Sequence, residues 1–507
     1  MASNVRACFR CRHKKIKCDI ARPTCQNCLK ANTPGDCIYG EDAEYPNIRL
    51  LEEKIGLLQG RIAFLESTPD SQPIMLHHPY PATGSGSNAT EQVDDSGRRT
   101  LPPATVQELI RSFSIGATGV GLFLYMPRLL ERIALPLATQ TKHGRALMNA
   151  IRLLGAYLSA DASLQSLQPL LLSYTLKDLS AALVELDPPA ILDVLQTEIF
   201  LAHYFFSSNR TVEGVYHMDA ASAIVLAHRL HKVRSTHYPR TLPSRDDIEE
   251  CERINAFWST FILDRCWSPI LSRAPILTDA EVRGTEIDTP WPLSIEAYEN
   301  HPLPAEWRGF QTVQRFLFDA HFSNIEQSPL ALHAKAATLY SQARRIADQF
   351  NTYITPLGWA ELDRRIGQFI QSLPSLESVQ PGDRHLQSTL LVVYTLACGA
   401  VIALQEPLLH HSVGTTKAVS AAFDAVNVLN RVDVRGVCVD PMVGAVLVAV
   451  ANVVVRTLRL RRQSASGEAN GIRMALARIR FALGVWGERS AYIKDQECRV
   501  AAMLEGV

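Results

Sequence analysis

The sequence has no surplus of either charge: 51 Lys and Arg balance 51 Asp and Glu over 507 residues. That balance excludes a surface that attracts polyanions over its whole extent. The opening stretch MASNVRACFR lacks the apolar core of a secretory signal, so the chain is expected to stay in a reducing compartment without disulfides. No apolar run reaches the ~20 residues that a bilayer requires. The two nearest, Leu390 to Leu404 and Met442 to Val455, read as buried core helices, and no membrane partner is expected. Catalytic frames are missing as well: there is no H-E-x-x-H, no G-x-S-x-G and no phosphate loop, and GATGVG at 116 lacks the strand and helix of a dinucleotide site. An enzyme is not expected. Cysteine is sparse beyond residue 40, where Cys251, Cys266, Cys398, Cys438 and Cys498 lie scattered and read as packing thiols.

What the chain does have is concentrated at one end. Cys8, Cys11, Cys18, Cys25, Cys28 and Cys37 follow the spacing C-x2-C-x6-C-x6-C-x2-C-x8-C, in which C-x2-C-x6-C occurs twice, the second time with a longer last gap. Each C-x2-C places two thiolates on one turn, the bite that zinc prefers. Two tetrahedral zinc ions need eight ligand positions; six thiolates fill them only if two sulfurs bridge, whereas one zinc would leave two thiolates spare. His13 is read as a solvated helix position, not a ligand. So few large apolar residues cannot fold the segment by burial, so metal binding supplies much of its folding free energy.

The same forty residues hold Arg6, Arg10, Arg12, Lys14, Lys15, Lys17, Arg22 and Lys30 against Asp19 and Asp36, a net charge of +6. A basic block on a neutral protein points to a polyanion partner for that block alone. The six thiolates, the stretches CRHKKIKCD and RPTCQNC, and Pro23 between the halves resemble the fungal six-cysteine binuclear zinc cluster, a DNA-binding module of transcription factors. The resemblance implies that Cys8 and Cys25 bridge, that Cys11 and Cys18 complete one zinc, and that Cys28 and Cys37 complete the other. It also implies that Lys14 and Lys15 contact bases of a CGG-like triplet in the major groove, leaving Arg10, Arg12, Lys17 and Arg22 for phosphates.

Beyond the cluster, IRLLEEKIGLLQGRIAFLE sets Ile48, Ile55 and Ile62 at one heptad position and Leu51, Leu58 and Leu65 at the other. Isoleucine at a and leucine at d favour a parallel two-stranded coil, with Arg61 facing Glu66 of the partner. Gly56 and Gly60 weaken that helix by about 1 kcal/mol each. The competing reading is an amphipathic helix docked on the chain's own large domain. Residues 68 to 103, rich in Pro, Gly and Ser, read as a flexible linker. The sequons at Asn88 and Asn209 carry no meaning in a cytosolic or nuclear protein.

From Thr105 onward apolar residues recur at helical spacing, as in GRALMNAIRLLGAYLSA, AILDVLQTEIFLAHYFF and INAFWSTFILDR, and AVLVAVANVVV is long enough for a buried helix. The fold class is therefore all-α. Its expected divisions are a zinc module at 1–40, a tether and coil at 41–67, a linker at 68–103 and a helical domain at 104–507. The segments VYHMDAASAIVLAHRLHKV, FWSTFILDRCWSPILSRAPILTDAEV and DTPWP resemble the fungal transcription factor regulatory domain, which in that family receives regulatory input, sometimes a small molecule. Where the family usually has Gly-Arg-Pro, this chain has Ser272, Arg273, Ala274 and Pro275, which predicts a different local turn. Trp258, Phe261 and Asp264 match the family and read as core and cap. The RTLRLRR run, with Arg456, Arg459, Arg461 and Arg462, reads as a helix C-terminus that favours cations.

The expected function is a nuclear, zinc-dependent, sequence-specific regulator of RNA polymerase II transcription. It would bind duplex DNA as a homodimer with two zinc ions per chain, engage the transcription machinery and answer to an effector that the sequence does not identify. The alternative is a zinc-stabilised protein-interaction scaffold, which the cysteine spacing disfavours because cross-brace modules mix in histidine.

Overall fold

In the computed structural model the chain divides into two compact units, Met1–Gln92 and Val93–Val507. Within the first, the structure describes residues 7–34, Cys37 and Tyr39; within the second, most of 100–505, apart from short stretches of which 320–327 is the longest. The heptad seam from Ile48 to Leu65 and linker residues 68–99 lie outside the described residues. No strand occurs among those described; the one β contact is an isolated bridge between Ser235 and Gly309.

The described residues of the first unit hold two single-turn helices, α1 (Phe9–His13) and α2 (Gln26–Lys30). Among its described residues the buried cluster consists of cysteines with Tyr39 packed against it, and no aliphatic core appears there.

The second unit opens with α3 (Pro103–Gly116), α4 (Met126–Ile133), α5 (Lys142–Leu158), α6 (Ala162–Gln165) and α7 (Gln168–Val184). Then come α8 (Ile191–Ser207), α9 (Thr211–Ala227), α10 (Asp247–Ile270), α11 (Thr312–Phe318) and α12 (Pro329–Gln349). The series closes with α13 (Pro356–Ser372), α14 (Arg384–Gln405), α15 (Ser412–Arg431), α16 (Met442–Arg461), α17 (Ser466–Gly487) and α18 (Ala491–Glu505). Starts follow local chemistry. Thr141 accepts from Gly144 N–H, Asp246 from Glu249 N–H and Asp383 from Leu386 N–H, and Pro329 sits in the first turn after the Ser328 cap. Of the arginine run, Arg456, Arg459 and Arg461 lie in the last turns of α16, as their charge suggested, and Arg462 lies outside the described residues.

One apolar core runs through this unit from Leu109 to Val500. Helix α8 is buried along all of Ile191–Ser207 and forms part of its centre. Because α8 meets protein on every side, its polar side chains need partners. Asp193 pairs with Arg132 at 2.5 Å and His143 at 2.7 Å, Gln196 accepts from Phe123 N–H at 2.9 Å, and Glu198 meets His217 at 2.6 Å. Helices α3 and α5 cross at Gly155, where a Cβ would stand 2.1 Å from the Leu109 carbonyl oxygen, so only glycine permits the approach. Two segments, Arg384–Leu408 and Met442–Arg459, are long and apolar enough to span a bilayer; in each, 67% of the most apolar stretch is buried against other helices.

Trp258 is fully buried, donates to Pro290 O at 2.7 Å and stacks on Trp291 at 4.3 Å, which joins α10 to the DTPWP segment. Asp264 accepts from Ser268, Ile276 N–H and Leu277 N–H, closing the loop after α10. Ser272 occupies a left-handed conformation, φ +55°, that glycine adopts without strain, and Arg273 pairs with Asp219 at 2.8 Å.

Candidate metal centre and nucleic-acid face

The two halves of the first unit are built alike. Arg12 N–H donates to Cys8 O and Leu29 N–H to Cys25 O, both at 3.0 Å. The pattern repeats one turn later, with Ile16 N–H on Cys11 O and Thr33 N–H on Cys28 O, again both at 3.0 Å. Each helix thus carries its C-x2-C pair on one turn and ends in the same reversal. The halves are tied by Asp19, which accepts from Gln26 N–H at 3.1 Å, and by Asn27, which donates to Lys17 O at 2.6 Å. Tyr39 donates to Ala21 O at 3.1 Å and lies 3.6 Å from Cys18 Sγ. Neither Asp19 nor Tyr39 stood out in the sequence, since a helix-starting carboxylate and a closing tyrosine carry no spacing signal.

The sulfurs converge. Cys8 Sγ lies 3.8 Å from both Cys25 Sγ and Cys28 Sγ, and Cys11 Sγ lies 3.6 Å from Cys25 Sγ. A tetrahedral zinc with Zn–S bonds of about 2.3 Å spaces its sulfurs by about 3.8 Å, so these separations fit metal-ligand edges. Cys8, Cys11, Cys25 and Cys28 lie mutually within 4.8 Å, and Cys18 and Asp19 form a second such group with Cys25. Cys37 Sγ accepts from Cys25 N–H at 3.1 Å. Five of the six thiols are buried, Cys18 is half-buried, and none is in a disulfide.

Burial opposes ionisation here and pushes the Cys11 thiol up to about 12. At Cys25 burial is outweighed by hydrogen bonds from Cys28 N–H and neighbouring thiols, which bring it down to about 6. Gathering six thiolates in this space therefore calls for dications, and zinc would supply both the charge and the folding free energy.

The basic side chains surround this centre unequally. Arg12, Lys14, Lys15, Lys17 and Arg22 are exposed. Arg10 is half-buried, with Nη1 3.9 Å from Cys28 Sγ, so its charge is directed at the thiol cluster. The Arg22 guanidinium lies 5.3 Å from the Tyr39 ring centre. Lys15 is held in a left-handed conformation, φ +52°.

Residues 6–45 match the family model described as the fungal Zn(2)-Cys(6) binuclear cluster domain, and residues 124–398, just over half of the chain, match that of the fungal specific transcription factor domain. Among curated relatives, an uncharacterized transcriptional regulatory protein of Schizosaccharomyces pombe is 38% identical over 68 residues, 12% of this chain and 11% of that protein. Transcription factor PDR8 of Saccharomyces cerevisiae is 41% identical over 51 residues, 10% of this chain and 7% of that protein. The citrinin biosynthesis transcriptional activator mrl3 of Monascus ruber is 23% identical over 334 residues, 56% of this chain and 63% of that protein. The chain thus spans less than two thirds of the length of each.

Proposed function

Because the chain belongs to the fungal zinc-cluster transcription factor family, a transcriptional regulator with two zinc ions held by cysteine, we propose that it acts in the nucleus as a homodimer that reads paired CGG-like triplets upstream of genes transcribed by RNA polymerase II. The carrying observation is the exposed run from Lys14 to Lys17 standing on a thiol cluster with metal-ligand spacing. Lys14 and Lys15 are the base readers in this reading, and Arg12, Lys17 and Arg22 hold phosphates. Arg10, directed at Cys28, balances the charge of the zinc cluster at least as much as it meets DNA.

The ligand sets are assigned as Cys8, Cys11, Cys18 and Cys25 for one zinc and Cys8, Cys25, Cys28 and Cys37 for the other. Membership of Cys25 in both sulfur groups supports its bridging role, and the equal distances from Cys8 to Cys25 and Cys28 support that of Cys8. The division into a zinc module at 1–40, a tether and dimer helix at 41–67, a linker at 68–103 and a regulatory domain at 104–507 completes the reading. The chain itself performs no catalysis.

Selection of duplex sites by the zinc-loaded full chain, followed by a salt titration, tests this. Enrichment of paired triplets, with affinity falling steeply as salt rises, is the expected result. Recovery of acidic proteins with no enriched DNA would instead support the scaffold reading.

A further inference from the structure

Inside the second unit lies a cavity of about 490 Å³, walled by α8, α10, α12, α14 and the two loops around 119–126 and 438–440. Its volume is within the range that holds drug-sized molecules. The glycine-rich stretch at 116, which no nucleotide fold claims, supplies part of the wall through Gly119 and Gly121. Gly121 has φ +79°, and a Cβ there would stand 2.9 Å from His203 Nε2, so the glycine lets the loop close against that histidine.

Most of the wall is apolar, as at Phe123, Ile262, Leu263 and Val392. Two of its residues nevertheless carry buried polar atoms with no hydrogen-bond partner, Asn255 Oδ1 and His333 Nε2, while His203 Nδ1 faces Asp440 Oδ2 at 3.5 Å. Buried polar atoms are normally paired, so two such atoms beside one cavity mark a place where a ligand's polar groups belong. Among the described residues the wall includes Glu252, Glu299, Asp383 and Asp440 but no lysine or arginine, which disfavours an anion. Burial also pushes His333 down to about 4, so that ring is neutral at physiological pH, and it lowers His203 against the opposing pull of Asp440. Glu252 and Asp440 are raised by burial, which shows how poorly this interior tolerates charge of either sign.

We infer that this cavity is the effector site of the regulatory unit, and that it takes an uncharged, mainly apolar molecule bearing hydroxyl or amide N–H groups. Asn255 Oδ1 accepts from such a donor, and the neutral His333 imidazole offers one further donor or acceptor. This rests on reading the second unit as regulatory.

Calorimetry on the zinc-loaded full chain with three matched probes, 2-naphthol, 2-naphthoate and 1-naphthylmethylammonium, tests the inference. 2-Naphthol should bind at one site at least about tenfold tighter than either ion. Asn255→Leu, close in size, should weaken it roughly fivefold, the loss expected for one hydrogen bond. Leu330→Trp, which fills the cavity, should abolish binding while circular dichroism shows the helical fold retained. Tighter binding of either ion, no binding of 2-naphthol, or binding indifferent to Asn255→Leu would overturn the assignment. DNA affinity of the parent chain is measured separately, so failure of the DNA reading leaves the cavity result standing.

Discussion

Lys15 and Asn32 share one backbone conformation, each with φ of +52°, at the reversals that end α1 and α2. Glycine and asparagine are the residues that tolerate this position; a lysine there costs about 1 kcal/mol. The first half of the cluster thus carries a strained lysine where the second carries a residue suited to the turn. If Lys15 is kept for reading bases, Lys15→Gly should strengthen zinc retention against a chelator by about 1 kcal/mol. It should also lower affinity for the preferred triplet by roughly 1 to 3 kcal/mol, with little change on random DNA. Paired chelator competition and fluorescence anisotropy measure both; undiminished triplet affinity would remove Lys15 from the base-reading role.

The sulfur geometry predicts that the ligands are not equivalent. Cys25 belongs to both groups, so Cys25→Ser should drop zinc from two to less than one per chain in metal analysis of the purified protein. Cys37→Ser, which touches one ion only, should leave about one. Equal zinc contents for the two variants would contradict the bridging assignment.

Pairing of two modules rests on the seam from Ile48 to Leu65. Replacing Ile55 and Leu58 by aspartate should abolish the preference for paired over single triplets while leaving zinc content intact, because the second contact ceases to be intramolecular. Binding curves on one-triplet and two-triplet duplexes give the answer. An undiminished preference would assign that helix to packing on the large unit instead.

In the second unit, burial raises the cost of charging Asp193, but the hydrogen bonds of His143 and Arg132 outweigh it and hold the carboxyl below its ordinary value of 3.8. A depressed folded-state value contributes stability that is present above the unfolded value and is lost as pH falls through the folded one. Asp193→Asn should therefore cost about 3 kcal/mol at neutral pH. The difference from the parent should shrink as pH falls from about 4, where the carboxyl of the unfolded chain takes up its proton, through the lower value of the folded one. Denaturant melts followed by circular dichroism across that range check the sign.

The zinc cluster was legible because its chemistry is local: a C-x2-C pair lies on one turn, and counting thiolates against tetrahedral sites needs no tertiary contact. Helical periodicity likewise marked α8, α10 and the valine-rich α16 as buried helices, since a stripe or run of apolar residues is written directly in the order of residues. Asp264, read as a cap, instead lies inside α10 and holds the following loop through Ile276 and Leu277 N–H, partners that helical spacing does not reveal. What the order of residues left undecided depends on partners far apart in the chain. Asp193 meets Arg132 and His143 across different helices, and Tyr39 closes back on Ala21. Arg10 read as a phosphate contact until its distance to Cys28 showed a second demand on its charge. Above all, Asn255, His203 and His333 carry no common spacing; only the packing of α8, α10 and α12 brings them to one cavity, because a concave surface is a property of helices in space and not of any one of them.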